Sequence, residues 1–325
     1  MRKWLSAAVF LLCTLSTDVA SGESCFFRDR SGAIRQVDSR QKVPASLRAS
    51  ARCLSSENQV LASPEDIELK GAVRKEDMTS ALGRIELRWP RIVEVQFGRT
   101  PQRAMADAAS TVNRVLQKAG FLPELRRINL QWKVVFMDEK LPEKQLPAYL
   151  LNSCHPAWMT PPSSIYVIAQ RVASGCSGQK ASSAHADAQL AQVLIHEIGH
   201  AVEHQLLGSA DTFDRMRAEG FATWFEIYAS ESSSVIPRGS VKKLYSALAQ
   251  ESFRQSPEGF SFSGSPFDYA RASLYFSAIV DRRGVAGLMD VYKNMREQGA
   301  DFLGAVRKTL GWDEGRLAEE TRRML

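Results

Sequence analysis

Leu194-Ile195-His196-Glu197-Ile198-Gly199-His200-Ala201-Val202 is the stretch from which the rest of the chain can be read. It lies in a run over 186–207 where Leu190, Ala191, Leu194, Ile198, Ala201 and Val202 recur at helical spacing. At 3.6 residues per turn, His196 and His200 project about 40° apart on one side. They stand well off the centre of the apolar stripe. Two imidazoles so placed reach one metal ion. Glu197, one step round, reaches a water on that ion without being a ligand. The plainer alternative is a pair of ordinary helix histidines. The chain holds only five His, and two of them flanking a Glu at this spacing favour the metal reading.

Catalytic zinc takes three protein ligands and keeps a fourth position open. A third His six residues after the second would mark a metzincin, but that position is Leu206. His204 is one turn past His200 and would have to reach back along the helix, so it reads as a surface or supporting residue. A glutamate is the better third ligand. Glu219 follows His200 after eighteen residues, inside a second helical run over 212–229. A first helix ending near Gly208, a turn at 209–211 and an antiparallel return bring Glu219 to face the two imidazoles. Gly220, Ala222 and Thr223 are small and let the helices approach. Glu226, two turns on, is the alternative ligand and more naturally a hydrogen-bond partner of a liganding His. Asp211 and Asp214 are further candidates for that supporting role.

HExxH, eighteen residues, then Glu219-Gly220-Phe221-Ala222 resembles the gluzincin signature of zinc metallopeptidases, especially the zinc-aminopeptidase branch and its small relatives. The resemblance covers about residues 127–295. It implies a zincin-like fold, Zn²⁺ held by His196, His200 and Glu219, and Glu197 as catalytic base. It also implies a downstream tyrosine that stabilises the oxyanion. Phe267-Asp268-Tyr269-Ala270-Arg271-Ala272-Ser273-Leu274, before an apolar helix ending near Gly284, matches that feature. The role carries over to Tyr269, with Tyr275 as competitor. The Gly-x-Met-Glu-Asn strand with which the aminopeptidases grip a free amine does not occur here. Aminopeptidase activity is therefore not implied, and endopeptidase action on a peptide or protein substrate is the expectation. Another divalent ion such as Co²⁺ suits the same ligands.

Outward from the motif, the spacing predicts strands over 85–97, 128–136 and 164–169 and an amphipathic helix over 101–119, with helix almost throughout after Ala184. Strands and one helix followed by helices give an α+β order: a small sheet subdomain and a mainly helical C-terminal part. Residues 164–169 are expected as the edge strand that pairs with an extended substrate.

The N-terminal part has another character. Arg2 and Lys3, the short apolar run 4–15 and the small residues Ala20, Ser21 and Gly22 form a signal-peptide pattern over 1–22. The run is too short to span a bilayer, and residues 10–12 do not form a lipobox before Cys13. A periplasmic or secreted location is expected, with no transmembrane segment in the mature chain. Four cysteines follow, Cys25, Cys53, Cys154 and Cys176, and an even number in an oxidising compartment implies two disulfides. Three pairings are open. Cys25–Cys53 with Cys154–Cys176 closes the shorter loops. None has CxxC spacing. Residues 23–55 read as a hairpin followed by a helix over 45–54, pinned by Cys25–Cys53, and loosely resemble a small hairpin domain of bacterial envelope proteins. Residues 56–83, polar with Pro64 and Gly71, read as a linker to a catalytic domain over 84–325.

The 325 residues are 44% hydrophobic and 24% charged, a globular composition. The formal charge of +6 is spread over scattered arginines with no basic run, which argues against nucleic-acid binding. The alternative function, from another class, is a zinc-stabilised envelope binding protein that cleaves nothing.

Overall fold

The computed structural model describes residues 24–28, 34–37, 44–45, 52–54, 69, 71–138, 156–174, 182–208, 214–256 and 262–325. The signal segment 1–22, Cys154, Cys176 and Asp211 lie outside these. The first strands, β1 (Ser24–Arg28), β2 (Ile34–Val37) and β3 (Arg52–Leu54), form a small sheet of order β2-β1-β3. The antiparallel register sets Cys25 opposite Cys53. The expected helix over 45–54 is thus replaced at its end by a strand, because pairing with β1 satisfies the backbone of 52–54 and outweighs local helix preference.

The second sheet has five strands: β4 (Val73–Ser80), β5 (Gly83–Pro90), β6 (Leu130–Met137), β7 (Ala157–Thr160) and β8 (Ser164–Ile168). Its order is β4-β5-β6-β8-β7. The pairs β5–β6 and β6–β8 are parallel, and both outer strands run antiparallel to their neighbours. Two expectations are corrected here. The linker over 56–83 gives way to β4 from Val73, so the sheet starts upstream of residue 84. The edge strand beside the helices is β7, while β8 is internal.

β5 alternates as a half-buried strand should, with Ile85, Leu87 and Trp89 inward and Arg84, Glu86 and Arg88 outward. It stops at Pro90, and Arg91–Val95 turns into a 3₁₀ helix rather than continuing to residue 97. Val93 and Phe97 are buried there while Val95, midway between them, is exposed, which breaks the two-residue alternation of a strand. Gly83 is required at the β4–β5 turn: it has φ +116°, and a Cβ would sit 2.2 Å from the Leu130 carbonyl oxygen.

Helix α1 (Pro101–Leu116) starts where predicted, with Thr100 accepting from the Arg103 amide and proline in the first turn. After the short α2 (Ala169–Ser174) come α3 (Ser183–Leu207), α4 (Arg215–Ser230), α5 (Ser240–Gln255), α6 (Pro266–Gln298), α7 (Phe302–Leu310) and α8 (Glu314–Arg323). The architecture is α+β, a mixed sheet followed by a mostly helical part. Ile85, Leu87, Trp132, Phe136, Ile165 and Val167 on the sheet share one core with Ala108 and Val112 of α1 and Leu190, Leu194 and Ile198 of α3. α3 packs against β7, α1, α4 and α6, which makes it the central helix. It ends at Gly208 with φ +57°. α6 has a Ser265–Asp268 capping box and does not end at Gly284; it breaks there (φ 68°, ψ 176°) and resumes to Gln298. No helix among the described residues is long and apolar enough to cross a membrane.

Candidate metal centre

α3 is enclosed on nearly every side, so its polar residues are buried with it. His196, Glu197 and Glu203 are 6%, 2% and 3% exposed. Burying such groups is unfavourable unless they find partners. α4 supplies them. Its axis comes close because Gly199 of α3 faces Ala222 of α4, where a Cβ on Gly199 would lie 3.3 Å from the Ala222 Cα. Gly220 serves a different contact: its missing side chain admits Ala272 and Phe276 of α6. Glu219 is thereby held between α3 and α6.

The structure brings the three expected ligands together. Glu219 Oε2 lies 3.4 Å from His196 Nε2 and 3.4 Å from His200 Nε2. All three ligand atoms lie within 4.8 Å of one another. In a tetrahedral site with bonds of about 2.0–2.1 Å, neighbouring ligand atoms are ~3.3–3.4 Å apart. Both Glu219–His edges match, and the two rings stand at 83° to each other. This largely buried group is able to hold a metal ion. Neither His204 nor Asp214 belongs to this group of three. Asp214 instead caps α4, accepting from the Arg217 amide.

Glu197 Oε2 is buried with no hydrogen-bond partner among the described residues. Burial, with the charges of Glu219 and Glu226, pushes its carboxyl up to about 7 against the pull of both histidines. Burial also pushes the Glu219 carboxyl upward, but His200 and His196 outweigh it and hold that group well below the usual carboxylate range. Burial alone would lower His196; hydrogen bonds to Glu219 and Glu226 overcome it and carry it up to about 10.

Glu226 is the partner of a histidine and not a ligand: its Oε2 lies 2.9 Å from His196 Nδ1. The same oxygen accepts from the Tyr245 hydroxyl at 2.9 Å, and its other oxygen accepts from Gln192 Nε2. Neither Tyr245 nor Gln192 was evident from the sequence. Gln192 had a usable signal, being four residues before His196 on one helix face. Tyr245 sits at apolar spacing with Val241, Leu248 and Ala249 and reads as plain core.

Of the two candidate tyrosines, Tyr269 is at the centre. Its ring lies 6.4 Å from that of His196, and burial, together with the nearby Glu219 carboxylate, holds its hydroxyl well above the usual phenol range. Tyr275 lines a separate cavity with Phe253 and Arg271. No protein-family model matches the chain, and a search of curated proteins gives no match either.

Proposed function

We propose that this chain is a zinc-dependent peptidase of the gluzincin type with a zincin-like catalytic domain, exported by its 1–22 segment. The reading rests on one observation above all: two imidazoles and a carboxylate converge, with both Glu219–His distances at tetrahedral spacing, beside a glutamate whose buried oxygen has no partner among the described residues.

His196, His200 and Glu219 would hold the ion. Zinc there would act as a Lewis acid, lowering the pKa of water from 15.7 to about 7 and polarising a carbonyl oxygen. Glu197 Oε2 accepts the proton of the attacking water and passes it to the leaving amine nitrogen. Glu226 Oε2 accepts from His196 Nδ1, which fixes the ring so that Nε2 faces the triad. The Tyr269 hydroxyl donates to the substrate oxygen as negative charge builds on it. β7, an outer strand of the sheet among the described residues, would offer backbone groups to an extended peptide, which strand addition would align beside α3.

The test is hydrolysis of fluorescein-labelled casein by the purified chain, with and without a chelator. Zinc-restored cleavage, lost in Glu197→Gln while zinc content stays at one per chain, is the expected result. Turnover retained in Glu197→Gln refutes the base. A chain that chelation merely destabilises, with no cleavage in any condition, is a binding protein instead.

A further inference from the structure

A cavity of about 140 Å³ lies where α4, α5, α6, α7 and α8 meet. Its walls include Phe253, Leu303 and Leu317, and its charged groups are Arg271, Arg322 and Glu314. It is not part of the metal centre. Arg271 follows Tyr269 by two residues on α6, which turns the two side chains about 200° apart.

Arg271 is the unusual member. It is 5% exposed, whereas Arg322 and Glu314 are exposed. Its guanidinium is held in place: Nη1 donates to the Ser256 carbonyl at 2.6 Å, and Cζ lies 4.0 Å from the centroid of the Phe253 ring. A neutral oxygen and a ring face orient a guanidinium without cancelling its charge, and a buried charge is costly unless it is offset. Its five N–H donors exceed what one carbonyl can use. In the cavity lining two arginines stand against one carboxylate, so positive charge is in excess.

We propose that this cavity binds a small monocarboxylate with an apolar body, its carboxylate on Arg271 and its carbons among Phe253, Leu303 and Leu317. Size sets the body: an apolar cavity of ~150 Å³ takes up one benzene, so about four to six carbons fit here. The planar fork of a guanidinium matches a carboxylate. A monoanion closes the charge balance of the lining, and inorganic phosphate would bring no carbon to cover the apolar walls. The chemistry is shared by a free acid and by the apolar last residue of a peptide, which the experiment separates. The site does not depend on the peptidase reading.

The experiment is a ligand-observed NMR titration of the zinc-loaded full chain with 3-methylbutanoate, its neutral amide and inorganic phosphate. The acid should bind, the amide about tenfold more weakly or worse, and phosphate should not displace the acid. Arg271→Met should weaken the acid by about 10–100-fold. Because that change also removes the Ser256 contact, Ala318→Leu is the second variant. Ala318 lines the cavity from α8 and is half-buried, so a larger side chain there fills the space with both arginines intact. It should abolish binding while the urea unfolding midpoint moves little. Gly-Leu binding as tightly as the acid, and losing affinity when amidated, identifies a peptide end; binding of the acid alone identifies a free acid. Absence of acid binding, equal binding of acid and amide, undiminished binding in Ala318→Leu, displacement by phosphate, or binding that vanishes with the zinc overturns the proposal.

Discussion

His196 Nδ1 and Glu226 Oε2 lie 2.9 Å apart in the interior, with Glu226 only 1% exposed. This carboxylate belongs to α4, seven residues after Glu219, so a single helix supplies both a member of the candidate triad and the group that aligns another member. Replacing Glu226 by Gln keeps the shape and removes the charge. Metal affinity should fall by about 10–100-fold, measured by competition with a chelating dye. Tyr245→Phe, which removes one hydrogen bond to the same oxygen, should fall less. Equal affinity in Glu226→Gln and the wild type would show that the contact is incidental.

Metal binding should release protons. Without an ion His196 is raised to about 10, so at pH 7 it carries a proton on Nε2 that the ion must displace. Protons then compete with metal below pH 10, and affinity falls as pH falls. From this one proton the change is about tenfold per pH unit. Calorimetry at pH 6, 7 and 8 in buffers of different ionisation enthalpy reads both the slope and the proton count. An affinity flat across that range would contradict the shift.

A separate buried group joins the helices. Arg217 Nε donates to Glu203 Oε1 at 3.0 Å, and the Tyr292 hydroxyl donates to the same oxygen. The ion pair is almost wholly enclosed, and α3, α4 and α6 each contribute one member. Arg217→Met strands a buried carboxylate and should cost about 3–5 kcal/mol in urea unfolding of the metal-free chain. Tyr292→Phe should cost about 1 kcal/mol. Replacing Arg217 and Glu203 together by apolar residues should restore much of the loss.

Gly220 offers a steric test of how Glu219 is held. A Cβ there would stand 2.7 Å from Phe276 Cε2 and 3.0 Å from Ala272 Cβ. Gly220→Ala should destabilise the fold by about 1–3 kcal/mol and weaken metal binding beyond that, because α4 must move off α6 next to the ligand. Gly199→Ala, with its nearest contacts at 3.3 Å, should be the milder change. The reverse ranking would count against this packing of α4.

The centre was largely legible because its residues follow helix periodicity. His196, Glu197 and His200 sit on one helix, and the cap and stop signals of α3 and α4 bracket the distance to Glu219. The strands were harder to read. β4 is polar, VRKEDMTS, and its side chains are exposed or half-exposed, so no apolar alternation marks it; pairing with β5 holds it. β7 has four residues, too few for a period. Arg91–Val95 carried apolar residues at alternate positions, but Pro90 precedes them and the chain turns. Tyr245 acts through a hydrogen bond to Glu226 on another helix, and local spacing does not encode that.

The three side chains of the candidate metal centre come from two consecutive helices, whereas Tyr245 and Tyr269 arrive only with α5 and α6. During synthesis, this group and the Glu226 that aligns it emerge well before the two tyrosines. On the peptidase reading, the order of the helices itself would delay activity until the C-terminal half, which carries Tyr269, has docked.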